Sequence, residues 1–71
     1  MPYSIFVRAI DSSRRSAPEI LACEIENEGE ASRIVHGLAS SYGEFGLDTR
    51  RSVYWFRSPR GLHEIWSAAS D

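Results

Sequence analysis

The stretch Arg51–Trp66 reads RSVYWFRSPRGLHEIW and carries four of the chain's eight aromatic rings. Two apolar runs flank the break Ser58-Pro59-Arg60-Gly61, the pattern of a β-hairpin. Its register decides which rings are core and which are surface, because a slip of one residue exchanges the two faces. Pro59 is held at a φ of about −65°, which suits the first central position of a type I turn and excludes type I′. A four-residue loop would place Ser58 in the α region, disfavoured just before proline. A three-residue loop, Pro59-Arg60-Gly61, with Gly61 as a left-handed bulge, fits all three residues.

That loop pairs Ser58 with Leu62, Phe56 with Glu64, Trp55 with Ile65 and Tyr54 with Trp66. One face then holds Val53, Trp55, Arg57, His63 and Ile65; the other holds Tyr54, Phe56, Leu62, Glu64 and Trp66. Glu64 is mid-strand, and burying an unpaired carboxylate is costly, so its face is expected to point away from the core. Val53, Trp55 and Ile65 are then inward, while Arg57 and His63 reach water at the sheet end. Tyr54, Phe56, Leu62 and Trp66 form an open face. A register one residue different would keep Leu62 and Trp66 beside Glu64 and bring Val53 and Trp55 to join them.

Working outward, Tyr3–Ile10 (YSIFVRAI) is β-branched and aromatic, and reads as a strand with one buried face. Its Phe6 and Arg8 are expected on the open face. Asp11–Pro18 is a polar connection, and Glu19–Glu26 a second strand with Leu21, Cys23 and Ile25 on one side and Glu24 and Glu26 on the other. From Asn27 the period changes. Ala31, Ile34, Val35, Leu38, Ala39 and Tyr42 draw one stripe down a helix of about four turns. Asn27 is an N-cap, Glu30 completes a capping-box-like pair, and Gly43 and Gly46 offer places to stop. Gly46–Arg50 connects to a third strand, Arg51–Ser58, and the last strand runs from Leu62 to about Ser67. The expectation is one α+β domain over residues 1–71, ββαββ, a four-stranded mainly antiparallel sheet with one helix on one face. Strand orders 2-1-3-4 and 1-2-4-3 would both make that sheet fully antiparallel.

Seventy-one residues bury a modest core, so a covering partner would add materially to stability. The net charge of −2 argues against broad affinity for nucleic acid or anionic membrane. All eight basic residues are Arg; Arg codons are GC-rich, which accounts for this without a functional cause. The lone Cys23 excludes an intrachain disulfide framework and reads as a small buried hydrophobe in a reducing compartment. No apolar run near the N-terminus has the length of a signal peptide core or a membrane span, so a cytoplasmic setting is expected.

Chemistry is sparse. Phosphate-loop, Cys-x-x-Cys and His-Glu-x-x-His patterns are absent, and no metal or cofactor is implied. His63 and Glu64 are adjacent in a strand and so point to opposite faces. Glu24, Glu26, Glu28 and Glu30 alternate, as an outward strand face running into a dipole-matched helix start would. The resulting expectation is a non-enzymatic module that self-associates as a homodimer or takes a protein partner. Its contact would be an aromatic sheet face (Tyr54, Phe56, Leu62, Trp66 and Phe6) or a strand edge. The alternative is a single-stranded nucleic-acid binder that stacks bases on Tyr54, Phe56 and Trp66 beside Arg8, Arg57 and Arg60. Arg14-Arg15 and Arg50-Arg51 would then add phosphate contacts. A further possibility is that the C-terminal SAASD folds back over the open face.

Overall fold

Asn27 marks the change from sheet to helix, as its sequence position requires: its side chain accepts the Glu30 backbone N–H at 2.8 Å. In the computed structural model, which describes residues 2–10 and 16–69, the elements are β1 (Tyr3–Ile10), β2 (Glu19–Ile25), α1 (Glu28–Ser40), β3 (Glu44–Asp48), β4 (Val53–Ser58) and β5 (Gly61–Ala69). The chain is α+β, a five-stranded antiparallel sheet with one helix packed against it, in the order β2-β1-β5-β4-β3.

The fifth strand is β3, which lies where a helix stop and a connection were expected. It also overturns both proposed strand orders. The helix carries the chain from one edge of the sheet, β2, to the other, β3, and lies chiefly over the central β5. The extra strand reverses the direction of everything after it. β5 therefore returns to the middle, antiparallel to β1 from Tyr3↔Ala69 to Ile10↔Leu62. Ser67 to Ala69 continue this ladder, so they do not fold back over the sheet. Asp11 to Arg15 of the expected connection lie outside the described residues. Ser16 closes the β1–β2 hairpin, donating its N–H to the Ala9 carbonyl and accepting the Ala9 N–H on Oγ, each at 2.9 Å.

The core is thin. Ala31, Val35 and Ala39 of α1 press on Ile5, Ile25, Phe56 and Ile65. Ile34, Leu38 and Tyr42, the rest of the expected stripe, lie at its exposed flanks. Small side chains at the centre of the stripe let the helix approach the sheet closely, leaving its larger neighbours at the rim.

The β4–β5 register differs from expectation. Ser58 pairs with Gly61, Arg57 with Leu62, Phe56 with His63, Trp55 with Glu64 and Tyr54 with Ile65. The loop is Pro59-Arg60 alone. Gly61 has φ of +123°, open essentially only to glycine, and with that freedom it stays in the ladder rather than bulging out. Ser58 Oγ accepts the Arg60 N–H at 3.1 Å and holds the turn closed. Tyr54 and Phe56 consequently face the helix, and Val53 and Trp55 the opposite side, the reverse of the expected assignment. Ile65 is inward as expected, 1% exposed.

β2 also departs from simple alternation. Against β1 its register runs Tyr3↔Ile25, Ile5↔Ala22 and Phe6↔Ile20, with an irregularity on each side of Ile5. Glu24 sits in the left-handed region at φ +58°. An extra residue there re-aims the strand, so Ile25 is buried while Leu21 and Cys23 are exposed. Cys23 is thus not the buried hydrophobe expected of it.

Candidate interaction surfaces

The face of the sheet away from the helix centres on Glu64. Its side chain is only 5% exposed although no second layer covers it. Arg8 Nε donates to Oε1 at 2.9 Å from β1, and Arg51, from the loop before β4, donates Nη2 to Oε1 at 2.9 Å and Nη1 to Oε2 at 2.5 Å. Burial favours the neutral acid, but the Arg51 and Arg8 hydrogen bonds outweigh it and hold the carboxyl below its ordinary value. The same hydrogen bond raises Arg51 above the usual guanidinium value. Glu64 lies on the face away from the helix, as expected, but it is buried there by two arginines that the sequence pattern does not pair with it.

Rings close around this cluster. Phe6 stacks on Trp66, its cross-strand partner, with centroids 5.9 Å apart. Arg8 Cζ lies 5.1 Å from the Trp66 ring centroid, so one guanidinium serves both Glu64 and an indole. Trp55 overlies Gly46 of β3, where an added Cβ would fall 2.7 Å from Nε1. Phe6, Leu62 and Trp66 are therefore on the open face but half-buried, and Trp55 joins them. Tyr54 and Phe56, expected there, are under the helix. Phe56 is 6% exposed, sandwiched between Tyr42 at 4.3 Å and His63 at 5.1 Å between centroids. His63 is thus a stacked ring on the helix side rather than a solvated residue opposite Arg57.

The candidate arginines are divided. Arg8 is committed to Glu64 and Trp66, and Arg57 Nε lies 3.3 Å from Glu44 Oε2. Arg60 is exposed at the turn, Arg51 is engaged by Glu64 and Asp48, and Arg14 and Arg15 lie outside the described residues. The glutamate series also splits. Glu24 sits at the strand irregularity, and Glu28 and Glu30 belong to the first turn of α1.

Comparison with protein-family models, characterised proteins and solved structures finds no match to this chain.

Exposed apolar side chains gather elsewhere, at the sheet edges and the helix flanks. Ile20 and Leu21 mark β2, Phe45 and Leu47 mark β3, and Ile34 and Leu38 flank the helix. His36 bridges helix and edge, its ring 6.1 Å from Phe45 and 5.6 Å from Tyr54. Beyond the end of α1 an open groove of about 700 Å³ is lined by Val7, Leu21, Tyr42, Phe56, Pro59 and His63. The helix is shorter than the sheet it covers, about 20 Å against about 30 Å for β5, and the groove is the difference. The sequence carries a weak signal for β3, the alternation of Phe45 and Leu47 on either side of Gly46 within EFGLD. Gly43 before it and Gly46 within it read instead as helix punctuation. Among the described residues no helix is long and apolar enough to span a membrane, and no group of three or more His, Cys, Asp or Glu side chains could hold a metal ion.

Proposed function

We propose that this chain is a non-enzymatic module for protein–protein contact, which self-associates or takes a protein partner through a strand edge. The observation that carries this reading is the position of the exposed large apolar residues. Phe45 and Leu47 are 40% and 48% exposed on one edge strand, and Ile20 and Leu21 are 64% and 53% exposed on the other. Edge strands also offer unpaired backbone N–H and C=O groups, so apolar contact and hydrogen bonding are available together. The open aromatic face supports the reading less well, because Phe6 and Trp66 are stacked on each other, Trp55 lies over Gly46, and Glu64 is paired with Arg8 and Arg51. The same pairing weighs against single-stranded nucleic acid: Arg8 and Arg57, two of the three arginines expected beside the stacking rings, already have carboxylate partners.

Sedimentation velocity from micromolar to millimolar concentration, with a parallel titration of single-stranded oligonucleotide at low and moderate salt, tests the proposal. A mass that rises with concentration supports self-association. A constant monomer mass removes self-association and leaves a different protein partner. Salt-sensitive oligonucleotide binding with quenching of Trp fluorescence overturns the reading.

A further inference from the structure

The two edges of the sheet are not equivalent. β2 is interrupted twice in its register with β1, carries Glu24 at φ +58°, and has Glu19 and Glu24 along it. Bulges and repeated like charge are how an edge is kept from pairing with its own copy. β3 has none of the irregularity. It pairs with β4 through five consecutive positions, from Glu44↔Arg57 to Asp48↔Val53. A regular ladder on one side leaves a regular row of backbone groups on the other. Its two acids are each met by an arginine of the same chain, Glu44 by Arg57 at 3.3 Å and Asp48 by Arg51 at 3.8 Å.

The β3 sequence, Glu44-Phe45-Gly46-Leu47-Asp48, has the same order of residue types in both directions: acid, apolar, glycine, apolar, acid. Antiparallel pairing of two copies about a two-fold axis at Gly46 sets Phe45 of each against Leu47 of the other. It covers on the helix side the two apolar side chains that are otherwise exposed. On the opposite side Trp55 reaches outward over Gly46. With strands about 4.8 Å apart, the two β4 strands would stand about 14 Å apart, close enough for the two indoles to meet over the paired glycines. Glu44 of one copy then lies beside Asp48 of the other, with Arg57 and Arg51 placed to bridge them.

We infer that the occupant of the β3 edge is a second copy of this chain, joined strand to strand about Gly46. This rests on the protein-contact reading above and narrows it to one edge and one partner. A seam of five residues per copy is smaller than the roughly 800 Å² per partner of a standard interface, so the dimer is weak and concentration-dependent.

Amide hydrogen exchange of the wild-type protein at micromolar and millimolar concentration reads the seam directly. The β3 amides should slow at the higher concentration and the β2 amides should not. In sedimentation, Leu47→Lys should weaken dimerisation by about tenfold or more, and Leu21→Lys should leave it unchanged. Circular dichroism checks that both variants fold, and the exchange result stands if either does not. Protection on β2 instead, or dimerisation lost in Leu21→Lys and kept in Leu47→Lys, overturns the β3 seam while leaving a protein-contact module. A wild-type chain monomeric at millimolar concentration overturns the seam as well. Only the oligonucleotide result overturns the protein-contact reading itself.

Discussion

Trp55 occupies the space that a side chain on Gly46 would need: a Cβ built on Gly46 would lie 2.7 to 2.8 Å from three atoms of the indole. The two residues are cross-strand partners between β3 and β4. Glycine weakens a strand because it contributes no side chain to packing, and an aromatic ring on the neighbouring strand restores the missing contact. Gly46→Ala should therefore destabilise the domain by about 1–3 kcal/mol, through displacement of the ring, although alanine is ordinarily the better strand residue. Urea unfolding followed by Trp fluorescence measures this. An unchanged or raised midpoint would mean that the indole moves aside without cost.

Glu64 links stability to pH. Its carboxyl is held below the ordinary value in the folded chain, so the unfolded chain binds the proton more readily. The contribution is fully present above the unfolded carboxylate range, about pH 4.3, and is lost as pH falls through the lower folded value. Glu64→Gln should cost about 2 kcal/mol at neutral pH and flatten the acid limb of the stability profile. Denaturant unfolding of both proteins between pH 7 and pH 2 provides the comparison. Parallel acid limbs would remove Glu64 as the cause.

Phe56 and Leu62 were both expected on the open face, and the structure separates them. Phe56 is enclosed by Tyr42 and His63 beneath the helix, whereas Leu62 is half-buried on the open face. Phe56→Ala should cost about 3–5 kcal/mol and come close to unfolding so small a domain. Leu62→Ala should cost about 1 kcal/mol. Thermal melts of the two variants distinguish this register from its one-residue alternative, in which Phe56 would be the exposed residue.

Cys23 lies exposed on β2. An aromatic disulfide reagent should label it in the native protein within a few-fold of the rate in denaturant, because accessibility and not unfolding limits the reaction. Labelling slowed by orders of magnitude would place the thiol inside the fold or under a partner on that edge.

The local elements were legible in the sequence wherever one period ran unbroken. β1 follows from YSIFVRAI, the helix start from Asn27 and Glu30, and the side of the sheet that Glu64 takes, away from the helix, from the cost of burying an unpaired charge. These depend on neighbours a few residues away, or on a penalty that holds in any fold. β3 was hidden because Gly46 is a poor strand residue on its own and becomes a good one only beneath Trp55, nine positions later. The hairpin register turned on Gly61, which permits both a bulge and a continued ladder. Only the tertiary structure chose between them, by packing Phe56 between Tyr42 and His63 and bringing Arg8 and Arg51 to Glu64. Those contacts join residues up to 56 positions apart. Their energies arise in the assembled sheet, where local pattern carries no trace of them.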